Sequence, residues 1–111
     1  MNRFFISVVS VLLFSLIPLN AAVYKGQRVF QKNCLQCHKP GESFIASHTI
    51  EYWQKATEQK GRKLAELHLI SEKAHGSWEY FRSKKYTKKA KHLGDFLMEY
   101  AQDSGNIPAC N

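Results

Sequence analysis

The chain has 111 residues, 44% of them hydrophobic and 23% charged, with a formal net charge of +7. That length sets a single domain as the expectation. Three cysteines are too few for a disulfide scaffold, and no internal repeat or strand-like alternation appears along the chain.

Residues 1–22 read as a secretory leader. Arg3 and the amino terminus supply a positive start. Phe4 to Ile17 form an apolar run broken only by Ser7, Ser10 and Ser15, and Pro18 with Ala21-Ala22 supplies a small-residue cleavage region. Cleavage after Ala22 sets Asn20 three places back, a poor fit, so the bond itself stays open. An uncleaved membrane anchor is the rival reading, but the run is shorter than the roughly 18 residues that a comfortable span requires. Export to the periplasm is therefore expected, with residues 23–111 forming the folded domain.

Tyr24 to Gln36 is predicted to be helical and leads into Cys34-Leu35-Gln36-Cys37-His38. The spelling Cys-x-x-Cys-His marks covalent attachment of one c-type haem. Cysteines at i and i+3 stand one helical turn apart, so both thiols can reach vinyl groups on one porphyrin edge. The neighbouring His38 then serves as proximal iron ligand. Three other readings compete. A thioredoxin-like redox pair needs a βαβ setting that is absent nearby. A structural zinc site needs four ligands, and no second Cys-x-x-Cys pair is present. A simple disulfide leaves His38 without a role.

The stretch Gly26-x-x-x-Phe30-x-x-x-Cys34-x-x-Cys37-His38 resembles the amino-terminal helix of class I cytochromes c. Leu93 to Ala101 resembles that family's carboxy-terminal helix, with Leu97 and Tyr100 at the positions that cross the first helix. The resemblance covers both ends of residues 23–111 and little of the middle. It implies an all-α, cytochrome c-like fold wrapped around one covalent haem, with crossed N- and C-terminal helices. Gly26 would let the two backbones approach closely while Phe30 and Tyr100 fill the crossing. The resemblance also implies a carrier of single electrons between periplasmic or membrane-bound redox partners, such as the small cytochrome subunit of a dehydrogenase. No pair of catalytic groups stands out, so an enzyme is not expected.

In the middle, Lys39 to Ser43 is a loop by its Pro-Gly content. A helix is expected from Ser47 or Thr49, either of which can cap it, to Gly61, with Ile50, Trp53 and Thr57 inward. Trp53 is either a donor to a haem propionate or a plain core residue. Arg62 to His75 forms a second helix with Leu64, Leu67, His68 and Ser71 on one side and Gly76 at its end. Ser77 can cap a short helix holding Trp78, Tyr80 and Phe81.

Class I cytochromes generally take a methionine as sixth ligand, and here the chain departs from the family. Its methionines are Met1 and Met98. Met98 sits beside Leu97 in the last helix, about 100° away from it around the axis. The usual methionine position falls near Ser83-Lys84-Lys85-Tyr86. The leading replacement is His75; with His68 it lies seven residues along one predicted helix, so the two share a face. His48, His92, Lys84 and Cys110 are further candidates, and an iron with no sixth protein ligand is the other outcome. Two firm ligands suit electron transfer, and replacing methionine by histidine or lysine lowers the potential. An open position instead gives a haem protein that binds or senses a small ligand.

Between Arg82 and Lys91 six residues in ten are basic: Arg82, Lys84, Lys85, Lys88, Lys89 and Lys91. Such a run is either a solvated face or a surface that steers an acidic redox partner to the haem edge. An anionic membrane surface is a further candidate, whereas nucleic acid fits the charge but not an exported compartment. Cys110, with no partner once Cys34 and Cys37 hold haem, is expected to be a free thiol or to form an intermolecular disulfide.

Overall fold

The computed structural model describes residues 20–107. Residues 1–19, which hold most of the expected leader, and Cys110 lie outside the described residues. Within them the protein is all-α. Five α-helices follow one another, α1 (Asn20–Asn33), α2 (Gly41–Ile45), α3 (Ile50–Leu69), α4 (Trp78–Phe81) and α5 (Lys84–Glu99), with a 3₁₀ helix over Glu72–Ser77. There is no strand among the described residues, and none of these helices is long and apolar enough to cross a membrane.

Helix α5 is the hub, packed against both α1 and α3. Its buried residues Tyr86, Ala90, Leu93, Phe96 and Leu97 recur at three- and four-residue steps, which places them on one stripe. Burying side chains the size of Leu93, Phe96 and Leu97 contributes about 1.5–3 kcal/mol each. Ser83 caps the helix, its hydroxyl accepting from the Tyr86 N–H at 3.2 Å. The helix therefore begins at Lys84, nine residues before Leu93, with Ser83 as its cap.

The approach of α1 to α5 turns on Gly26, although the partners differ from those expected. A Cβ at position 26 would run into the His92 carbonyl oxygen and lie 2.6 Å from the Phe96 Cβ. Phe96 is fully buried, and its ring stands 5.7 Å from that of Phe30. Tyr100 is half-buried, its ring edge-on to Phe96 at 5.4 Å with the planes at 63°. Leu97 faces the central cavity described below.

Helix α3 is broken where a stop was expected. Thr49, rather than Ser47, caps it by accepting from the Tyr52 N–H at 3.1 Å. Helical geometry is lost from Glu58 to Gly61, where Gln59, Lys60 and Gly61 take φ values of 52°, 59° and 74°. Left-handed backbone suits glycine, and at Gly61 there is no room for a side chain, because a Cβ would meet the Tyr86 hydroxyl. That hydroxyl donates to the Gly61 carbonyl, so α5 clamps the break. Trp53 and Thr57 are inward as expected, but Ile50 is exposed and Ala56 is buried in its place.

The second half of α3 ends at Leu69, short of His75. Ser71 is extended (φ −107°, ψ 118°) and starts the 3₁₀ helix. The Trp78 indole N–H donates to the His68 carbonyl at 2.7 Å, taking an acceptor from the last helical turn. His68 and His75 thus belong to different elements and share no helix face. Ser77 does not cap α4; its hydroxyl donates back to the Ala74 carbonyl. The expected loop after His38 closes early, as α2 begins at Gly41.

Candidate functional site

Helix α1 ends at Asn33, so Cys34 begins a turn rather than continuing the helix. The N–H groups of Cys34 and Leu35 both donate to the Phe30 carbonyl, at 2.9 and 3.0 Å. The Cys37 and His38 N–H groups then donate to the Cys34 carbonyl, at 3.2 and 3.0 Å. This local winding turns the side chains of Cys34, Cys37 and His38 to one cavity of about 490 Å³. Phe30 and Phe44, Trp53 and Leu64, and Phe81, Leu93 and Leu97 also line it, so each of the five α-helices supplies an apolar wall. Ser71, Ala74 and Ser77 border it from the segment around that turn.

The two thiols differ. Neither is in a disulfide. Cys37 is exposed, whereas burial pushes the Cys34 thiol up to about 12, with the charge of Cys37 adding to it. A thiol with so high a value is a thiolate only as pH approaches that figure, and the thiolate is the nucleophile. In the haem-free chain near neutral pH, iodoacetamide is therefore expected to modify Cys37 well before Cys34. Equal rates at the two positions, read by peptide mass mapping, would contradict the burial of Cys34.

His38 is half-buried, stacked face to face on Phe44 with ring centres 3.9 Å apart. Burial, and secondarily the neighbouring His68, push its imidazole below the usual value, favouring the neutral ring that coordinates metals. His68 stands with its ring centre 6.0 Å from that of His38, the planes at 86°. Its Nδ1 lies 2.7 Å from the Leu64 carbonyl, and its ring stacks on Phe81 at 4.1 Å.

The remaining expected ligands are not brought to this cavity. His75 is exposed on the 3₁₀ helix, its ring 6.1 Å from Trp78. His48 stacks on Tyr52 at 3.7 Å. His92 lies at the α1–α5 approach, its Nδ1 buried and without a hydrogen-bond partner. Lys84 is exposed at the start of α5, and half-buried Met98 does not line the cavity. Trp53 is no propionate donor here, because its indole N–H is committed to the Ile45 carbonyl at 2.9 Å. No group of three or more His, Cys, Asp or Glu side chains that could hold a bare metal ion comes together among the described residues.

The basic surface is wider than the run along α5. Lys25, Arg28 and Lys32 of α1 join Lys85, Lys89 and Tyr80 around a concave surface of about 540 Å³. Contact with the Lys32 ammonium, and then its charge, pull Lys85 below its usual value. Asn33 lines both this surface and the central cavity. The spacing of Lys25, Arg28 and Lys32 at helical steps was the available signal for this extension. Phe44, Phe81 and Trp78, which position the two histidines, carry no such local signal.

No protein family profile matches the chain, and no curated protein and no solved structure was found to be similar to it.

Proposed function

We propose that this protein is an exported monohaem c-type cytochrome that carries single electrons between redox partners. The observation that carries the reading is the placement of Cys34, Cys37 and His38 along one apolar cavity. A volume of about 490 Å³ lies within the roughly 300–1,000 Å³ typical of cofactor sites. Two thiols and a neutral imidazole on one short turn are the donor set that a covalently held haem requires.

Bound there, the haem supplies an iron centre that cycles between two oxidation states. Cys34 and Cys37 hold the porphyrin through two thioethers, and His38 ligates the iron. Phe30, Phe44, Trp53 and Phe81 exclude water from the cavity, which sets the local dielectric and with it the potential. Cys37, the exposed one of the two thiols, would attach the haem at the solvent side of the cavity. The cations Lys25, Arg28, Lys32, Lys85 and Lys89, bordering the cavity through Asn33, attract an acidic redox partner. The leader of residues 1–22, with its apolar run from Phe4 to Ile17, supports export to the periplasm, where such attachment is made.

The test is an optical spectrum of the full chain produced in a host with haem-attachment machinery. The expected result is a c-type haem spectrum that survives acid–organic extraction and responds to reduction. A colourless protein would overturn the proposal in favour of a thiol pair at Cys34 and Cys37.

A further inference from the structure

We infer that His68 is the second axial ligand, giving the iron two histidines where the family uses a histidine and a methionine. The inference rests on the haem-bearing reading above and concerns only which side chain completes it. A metal–imidazole bond is about 2.0 Å, and the ring centre lies about 1 Å further on. Two imidazoles on opposite sides of one metal therefore have centres about 6 Å apart, and those of His38 and His68 are 6.0 Å apart.

Three contacts hold His68 in place. Its Nδ1 donates to the Leu64 carbonyl at 2.7 Å, leaving the Nε2 lone pair free for a metal. This is the outer-shell arrangement that fixes the tautomer of metal-bound histidines and raises their basicity. Stacking on Phe81 at 4.1 Å sets the ring plane, and the Trp78 N–H anchors the His68 carbonyl at 2.7 Å. Of the histidines in the described residues, only His38 and His68 line the cavity. The break after Leu69 separates His75 from that wall, so the two histidines that share a helical spacing in the sequence have different fates. Two strong imidazole ligands also leave no open position, which favours electron transfer over capture of a small ligand.

The experiment compares the haem-loaded wild-type chain with His68→Ala, His68→Met and His75→Ala. Wild type is expected to be low-spin in both oxidation states and inert to CO, with hyperfine coupling to two imidazoles when histidine is ¹⁵N-labelled. His68→Ala should become high-spin and bind CO when reduced, and added imidazole should restore the low-spin form. His68→Met should raise the midpoint potential, as methionine ligation does, while His75→Ala should match wild type. A haem-loaded wild type that binds CO, that shows coupling to one imidazole, or that loses its low-spin spectrum with His75→Ala would overturn the assignment while leaving haem attachment intact. Because the labelling readout uses wild type, it decides the question even if a variant fails to fold. Absence of haem from wild type overturns the proposed function as well, and so is told apart from failure of the ligand alone.

Discussion

Replacing Gly26 by leucine is expected to lower the melting temperature by roughly 12–24 °C, or to prevent folding altogether. Overpacking a core position costs about 1–3 kcal/mol, and in a domain of this size each kcal/mol shifts the midpoint by about 4–8 °C. The upper end applies because the Cβ alone would run into the His92 backbone carbonyl, which cannot rotate aside as a side chain can. Relief would require α1 and α5 to separate, opening the contact between Phe30 and Phe96. Gly26→Ala should fall between wild type and Gly26→Leu. Thermal unfolding followed by circular dichroism is the check, and an unchanged midpoint for Gly26→Leu would mean that the two helices do not meet at this glycine.

Removing both thiols is expected to abolish covalent haem. In the Cys34→Ala, Cys37→Ala chain, acid–organic extraction should release all of the haem, whereas wild type should retain it. Cys37→Ala alone should keep one thioether through Cys34, leaving one unsaturated vinyl group and a shifted reduced spectrum. The effect is close to all-or-none because it counts covalent bonds. The apolar cavity and His38 persist in the double variant, so weak, extractable haem binding can remain. Full retention of haem after extraction of the double variant would refute attachment at this motif.

Local spacing was sufficient for the parts of the protein that depend on neighbouring residues. The helix through Gly26 and Phe30, the cap at Thr49 and the interruption at Gly61 follow from propensities and hydrogen bonds within a few residues. Leu64, His68 and Ser71 fall on one side as their spacing predicts, and they do line one cavity.

What tertiary structure decided lies in contacts between distant segments. Phe96, rather than Tyr100, sits against Gly26, because the rotation of α5 is set jointly by α1 and α3. Ile50 is exposed although it falls on the apparent inner stripe of α3. The sequence alone placed His68 and His75 on one helix face; the Trp78 bond to the His68 carbonyl accompanies the end of that helix at Leu69 and leaves His75 exposed. The basic run along α5 gains Lys25, Arg28 and Lys32 only because α1 packs beside it. The sequence by itself determined the all-α class, the Cys34-x-x-Cys37-His38 spelling and the sign of the charge, since these rest on residue type and short-range periodicity. Which histidine faces His38 was decided only by the packing of α3, α4 and α5, since a 6.0 Å approach between residues thirty positions apart depends on how whole helices are set against one another.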